Sequence, residues 1–142
     1  MQITRQADYA VRAILYLAHL KPGRRAPTAQ IAREQRIPTT FLAKIVSQLS
    51  VAGIVHATRG ARGGVALARP ADEISLLEIV EAIDGPVALN ECTLNPEICP
   101  LNDNCPIRLV WCDARAELVG RLAQTKLGNL IKPQVAPLAL AA

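Results

Sequence analysis

Three of the four cysteines in the 142-residue chain fall in one stretch, ECTLNPEICPLNDNCP, as Cys92, Cys99 and Cys105. Their spacing does not suit a zinc ribbon, which usually opens with two cysteines only two to four residues apart. It is also looser than the tight ferredoxin pattern. A loop with three soft thiolates can instead wrap an iron–sulfur cluster, which is larger than a single ion. Pro100 and Pro106 directly follow Cys99 and Cys105 and hold the preceding residue extended. Cys105 sits where the N-cap of a following helix is expected. The positive end of the helix dipole there favours a thiolate, in an anionic cluster or as a reactive cysteine. The surroundings are polar (Asn90, Glu91, Asn95, Glu97, Asn102, Asp103 and Asn104), unlike a dry core. Three thiols leave a cluster one ligand short. Cys112 lies seven residues beyond Cys105, about 10 Å along a helix, and reads better as a small apolar residue beside Trp111. A zinc site and a Cys99–Cys105 disulfide switch stay open as alternatives.

These thiols need elements to position them. The chain is 51% hydrophobic but only 3% aromatic, so Ala, Leu, Ile and Val must do the packing, which favours helices. DYAVRAILYLAHL (8–20) has apolar residues at three- and four-residue intervals and predicts a first helix. KPGRRAP breaks it. TAQIAREQ predicts a second helix capped by Thr28, which Ile37-Pro38 ends. FLAKIVSQLSVAG predicts a third, capped by Thr39 or Thr40, with Phe41, Leu42, Ile45, Val46 and Leu49 as its core stripe and Gly53 as its stop. IVHAT and VALAR flank RGARGG and predict a hairpin. Three helices followed by a hairpin give the order of a winged helix-turn-helix. SLLEIVEAIDGP predicts a helix with a Ser75–Glu78 capping box, closed by Gly85 and Pro86. Beyond the cysteines, residues 106–124 predict one long helix that opens with proline. Its stripe (Ile107, Val110, Trp111, Ala114, Leu118, Leu122) has no obvious partner left in the chain, so it is expected to pair with its copy in a homodimer. The expected fold is mainly α: a winged helix-turn-helix domain at 1–70, then a unit at 71–132 holding a capped helix, the cysteine loop and the dimerisation helix. Residues 133–142 are expected to be a flexible tail.

The charge is divided unevenly. Residues 1–69 hold eleven Lys and Arg against two acids, whereas residues 70–142 hold five against ten. A basic half joined to an acidic half suggests that the first meets a polyanion. With so few aromatics to stack on bases, duplex DNA is a better partner than single strands or RNA. The second helix of a helix-turn-helix enters the major groove with its first turn at the base edges. Here that turn offers Thr39, Thr40 and Lys44, while Ala43 can offer only a methyl contact. The hairpin tip carries Arg59 and Arg62, placed for a narrow minor groove. His19 and His56 read as surface residues. No Ser/His/Asp set, paired carboxylates or phosphate loop points to an enzyme. No apolar run approaches the roughly 18 residues of a membrane span. The start MQITRQADYA does not look like a signal peptide. A cytoplasmic location is expected, where clustered cysteines more often bind metal or do redox work than form structural disulfides.

Taken together, DYAVRAILYLA, IPTTFLAKIVSQLSVAGIV, RGARGGVALARP, ISLLEIVEAIDGP, the three-cysteine loop and TKLGNLI resemble the Rrf-two family of winged-helix regulators, of the IscR, NsrR and RirA type. The likeness runs from Met1 to about Ile131. It implies a homodimer on palindromic promoter DNA, with Cys92, Cys99 and Cys105 as ligands of a 2Fe–2S or 4Fe–4S cluster that controls DNA affinity. It also divides on the fourth ligand. IscR-like members use a histidine three residues after the last cysteine, where this chain has Arg108. NsrR-like members use an aspartate near the N-terminus of the partner subunit, and this chain has Asp8 at the matching place. Ala43 stands where IscR-like members carry a glutamate for site discrimination, so their operator does not carry over. The cluster loop is expected to rest against the helix bearing Asp8, so that losing the cluster would free the loop and shift the recognition helices.

Overall fold

The computed structural model describes residues 1–132; the expectation for 133–142 lies outside the described residues. Helix α1 runs Arg5–His19, α2 Thr28–Gln35 and α3 Thr39–Val51, followed by β1 Val55–Thr58 and β2 Gly64–Leu67. Then come α4 Leu76–Asp84, the cysteine segment, α5 Pro106–Gln124 and the short α6 Leu127–Ile131. The core is aliphatic, as the composition requires. Ile14 of α1, Ile31 of α2, Leu42, Ile45 and Leu49 of α3, Ile79 of α4 and Leu127 of α6 are essentially fully buried in it.

Helix α1 starts three residues before the expected Asp8. Thr4 is the N-cap, and its Oγ1 accepts from the Ala7 N–H at 3.2 Å. The backbone N–H of Thr4 in turn donates to Asp84, at the far end of α4, at 3.2 Å. The caps expected at Thr28 and at Thr39 or Thr40 are also displaced. Pro27 and Pro38 occupy the two N-cap positions, each extended, with no side-chain cap bond. Their carbonyls accept the first helical bonds, from Gln30 and from Leu42, both at 3.0 Å. Proline fixes this extended entry and leaves the threonine hydroxyls uncommitted. Phe41 is no core residue: it is 42% exposed and lies edge-on to Tyr9 of α1, ring centroids 6.2 Å apart.

The two strands pair antiparallel from Val55 opposite Leu67 to Thr58 opposite Gly64. A single bridge adds Ala26 beside Val65, with N–H to carbonyl distances of 3.0 and 2.8 Å. The hairpin is therefore stitched to the connection between α1 and α2. The predicted capping box closes around α4: Glu78 N–H donates to Ser75 Oγ at 3.2 Å, and Ser75 N–H donates to Glu78 Oε2 at 2.8 Å. Arg69 Nη2 pairs with Glu78 Oε1 at 2.7 Å. Helix α6, not anticipated as an element, docks through Leu76 N–H to Thr125 O and Leu127 N–H to Ile74 O. Helix α5 starts and ends where the sequence placed it, and none of its residues is buried among the described residues. Ile107, Leu109 and Val110 are 49%, 65% and 55% exposed.

Candidate nucleic-acid interface and cysteine loop

The α2–α3 turn is fixed from several sides. Arg36 caps α2 in the left-handed conformation, φ 53°, and its N–H reaches the Ala32 and Arg33 carbonyls. Ile37 N–H closes onto Ala32 O at 2.9 Å. Pro38 then prevents the helix from continuing. From α1, Arg12 Nη1 donates to the terminal α2 carbonyl of Gln35 at 2.9 Å. The Arg12 guanidinium also lies 4.7 Å from the Tyr9 ring centroid, and Tyr9 is the ring that meets Phe41 in the first turn of α3. Asp8 Oδ2 stands 3.2 Å from Arg12 Nε, a turn away on α1. That Nε–H makes no hydrogen bond, so the pair is one of charge, not of aligned donor and acceptor.

On this frame Thr39, Thr40, Ala43 and Lys44 are exposed along the outer face of α3. Arg59 and Arg62 are exposed on the hairpin turn. Gly63 N–H donates to Gly60 O at 2.9 Å across that turn. A side chain at Gly63 would collide with the Thr58 carbonyl, and one at Gly64, φ +139°, would sit 2.8 Å from the Ala26 carbonyl. The glycines thus let the tip fold tightly and let the wing approach the α1–α2 connection. The threonine hydroxyls and the three cations are the groups that can meet phosphates and base edges. His19 and His56 are exposed, as expected.

The cysteine segment is a chain of single 3-10 turns, at Glu91–Thr93, Pro96–Ile98 and Asn102–Asn104. Cys92 lies in the first, while Cys99 and Cys105 end the second and third. Two arginines of α5 hold the segment: Arg115 Nε donates to Val87 O at 2.6 Å and Arg108 Nε to Cys92 O at 3.4 Å. Arg108, standing where some relatives are expected to carry a ligand histidine, is therefore a strut of the loop. Cys105 is the N-cap of α5, with Pro106 as the first helical residue, and its thiol makes no cap hydrogen bond. All four cysteines are free and half-buried. Among the described residues no three Cys, His, Asp or Glu side chains converge closely enough to hold a metal ion. The loop packs on α5, not chiefly on α1, so Asp8 does not join it within one chain. Cys112 lies further along α5 and does not join it either. The donor set still suits a cluster by its chemistry: three soft thiols lie on one half-exposed loop, one of them at an uncapped helix N-terminus. Closing around a cluster would require the turns to draw together.

The sequence pointed to the outward residues but not to the inward ones that hold them. The Asp8–Arg12 spacing of four was a visible signal. The reach of Arg12 to Gln35 and the Ala26–Val65 bridge carried no local signal.

Three helices and a basic, glycine-tipped hairpin define a winged-helix DNA-binding regulator. The family model described as "Rrf2: Iron-dependent Transcriptional regulator" matches residues 3–133, and the chain belongs to that family, whose members are regulators of transcription and not enzymes. Protein aau3 of Rhizobium meliloti (strain 1021) is 41% identical over 138 residues, covering 95% of this chain and 89% of that protein. CymR (YrzC), the global cysteine regulator of B. subtilis, has a solved structure similar at TM-score 0.77 and 27% identity, covering 92% of this chain and 95% of that one. T. potens IscR is similar at TM-score 0.74 and 22% identity, covering 93% and 87%, and shares the fold. No helix among the described residues is long and apolar enough to cross a membrane.

Proposed function

We propose that the chain is a cytoplasmic, homodimeric repressor whose affinity for promoter DNA is set by an iron–sulfur cluster, 2Fe–2S or 4Fe–4S. Cys92, Cys99 and Cys105 hold the cluster, with Asp8 of the partner subunit as the fourth ligand. The single observation that carries this reading is the loop itself: three free, half-buried thiols on consecutive short turns, tied to α5 by two arginines at its start and running into α5 at Cys105. When bound, the cluster supplies iron that reacts with nitric oxide or oxidants and reports iron supply. A carboxylate is a hard ligand for such iron and exchanges readily.

The DNA contacts fall to Thr39, Thr40 and Lys44 on α3 and to Arg59 and Arg62 on the wing. The protein's own residues then give a route from sensor to reader. Asp8 sits beside Arg12 on α1, and Arg12 fixes both the end of α2 and the Tyr9 ring against Phe41. Drawing Asp8 toward a neighbouring loop changes what Arg12 holds and so the setting of α3. In a dimer that must match successive grooves, a shift of a few ångströms between recognition helices is enough to weaken binding.

The test is the visible spectrum together with the iron, sulfide and zinc content of protein purified without oxygen. A brown protein with near-equal iron and sulfide is expected, and Cys92→Ala should lose both. A colourless protein with zinc or no metal refutes the cluster. A second reading has support in the same loop, because the thiols are free and do not converge on a metal-sized centre. In it the same fold acts as a cluster-free thiol–disulfide or zinc-dependent regulator. Reversible loss of thiols at Cys99 and Cys105 under peroxide, with DNA affinity changing in step, would favour it.

A further inference from the structure

A cavity of about 600 Å³ opens between the two halves of the chain, away from the cysteine loop. Its volume lies within the roughly 300–1,000 Å³ that takes small molecules. Leu17, Ala18 and Leu20 from the end of α1, with Leu67 from the base of the wing, give it one apolar wall. Ala71 and Ile131 give the other. Its charged lining is unequal: Lys21, Arg24, Arg69 and Lys132 against Asp72. Arg69 is already committed, to Glu78 and to the Glu73 carbonyl at 3.2 Å. Lys132 stands 3.9 Å from Asp72. Lys21 and Arg24 make no salt bridge among the described residues. They flank one tight turn, closed by Arg24 N–H to Lys21 O at 3.0 Å and by Gly23 at φ +77°.

We propose that this cavity binds a small amphipathic carboxylate, its apolar body between the Leu67 and Ile131 walls and its head on Lys21 and Arg24. A ligand that covers the mouth takes water from two cations, which is costly unless the ligand brings an anion to them. A DNA phosphate could use the cations but would leave the apolar walls unfilled. The site is placed to matter. Two residues beyond Arg24, Ala26 is bonded to Val65 of the wing. Leu67 belongs to the wing, and Ile131 belongs to α6, which directly follows α5. Occupancy therefore bears on the base of the wing and on the end of the dimerisation unit together. This is an input to DNA binding separate from the cysteines, and it does not rest on the cluster.

The probe is octanoate, titrated into the full-length protein under anaerobic conditions and followed by amide chemical shifts, with octanol as the neutral control. Saturable shifts centred on residues 17–24 and 67–71 are expected. The Lys21→Ala/Arg24→Ala variant should bind about tenfold more weakly, and octanol no better than octanoate binds to that variant. Both substitutions are on exposed positions, and an unchanged melting curve establishes that the variant is folded. A chain ending at Lys132 should bind octanoate as the full chain does. The proposal is overturned if octanol matches octanoate, if the double variant binds unchanged, or if the shifts map to the exposed Ile107–Val110 face of α5. It is equally overturned if only the shortened chain binds, because residues 133–142 would then be the occupant.

Discussion

Arg12 should be the residue on which the setting of the recognition helix depends, and Arg12→Met tests this while keeping an apolar stem. The substitution removes a charged donor from the Gln35 carbonyl, 2.9 Å away. Hydrogen bonds to charged groups contribute about 1.5–3 kcal/mol. The guanidinium over Tyr9, 4.7 Å from the ring centroid, adds about 0.5–1 kcal/mol at a partly exposed site. The charge pair with Asp8 adds only about 0.3–0.5 kcal/mol, since the Asp8 side chain is 61% exposed. These terms share one side chain and do not sum in full, so a loss of about 2–3 kcal/mol is expected. Urea unfolding at fixed protein concentration measures it. If about 1.4 kcal/mol of the loss falls on the arrangement of α3 that fits the operator, apparent DNA affinity drops about tenfold. Asp8→Asn is the internal control. In the cluster-free protein it removes that charge pair and the first-turn charge at the α1 N-terminus but leaves the Gln35 and Tyr9 contacts of Arg12, and should cost under about 1 kcal/mol. Should Arg12→Met cost no more than Asp8→Asn, or leave operator affinity unchanged, the idea that Arg12 holds the α2–α3 turn is wrong.

Four other outcomes follow from the geometry. Gly64→Ala places a Cβ 2.8 Å from the Ala26 carbonyl at a φ of +139°, and should cost about 2–4 kcal/mol through backbone strain and loss of the bridge. Hydrogen exchange at the Ala26 and Val65 amides should speed up, and unchanged protection would sink that account. Arg59→Ala should weaken binding to all DNA sequences alike and lower the slope of log affinity against log salt by about one; a sequence-dependent loss would mean base reading instead. Asp8→Asn should alter the spectrum of the cluster-loaded dimer while leaving its thermal stability nearly intact, whereas an unaltered spectrum would remove Asp8 from the ligand set. Glu78 supplies a pH dependence. Partial burial alone raises its carboxyl, but the Ser75 N–H, the Arg69 guanidinium and the Ser75 hydroxyl together outweigh that and hold it below the ordinary glutamate range. The folded state therefore binds this proton less readily than the unfolded one. Its stabilisation is present above the unfolded value and is lost as pH falls through the depressed folded one. The stability gap between wild type and Glu78→Gln should shrink in urea unfolding from roughly pH 6 to pH 3, and a constant gap would contradict it.

How far such features can be read from sequence depends on how local their cause is. The Ser75–Glu78 box and the Pro106 opening of α5 are set by residues within one turn, and both stand where the spacing puts them. The starts of α2 and α3 were legible to within about two residues, but for a different reason than capping. The prolines before them supply extended carbonyls, and the hydroxyls are left free on the outer surface. Thr4 shows the limit. It caps α1 with its own side chain, yet its backbone is held by Asp84, eighty residues away, and no window along the chain contains both. Helix α6 failed for a related reason. LGNLI is too short to show a helical period, and its position comes from the Ser75–Lys126 bridge and the burial of Leu127.

The same distinction bears on the two sites proposed for this molecule, the DNA face and the cysteine loop. The DNA face is local and is finished within one chain: α3 and the wing are fixed by Arg12, Pro38 and the Ala26–Val65 bridge. The proposed cluster site is unfinished among the described residues of one chain. Its thiols do not converge, and Asp8 stands on a helix that the loop does not chiefly pack on. Meanwhile α5 shows a face of Ile107, Leu109 and Val110 that nothing among the described residues covers. Both gaps fall on the same unit, and a second copy packed along α5 could fill both at once by burying the apolar face and bringing another Asp8 toward the loop. Cluster binding and dimerisation should then be coupled. Dilution that separates the subunits should release the cluster, and Val110→Glu, which charges the exposed face, should lower iron content without touching any ligand. Sedimentation and iron analysis on the same samples decide it. A monomeric Val110→Glu protein with full iron would show that one chain completes its own centre.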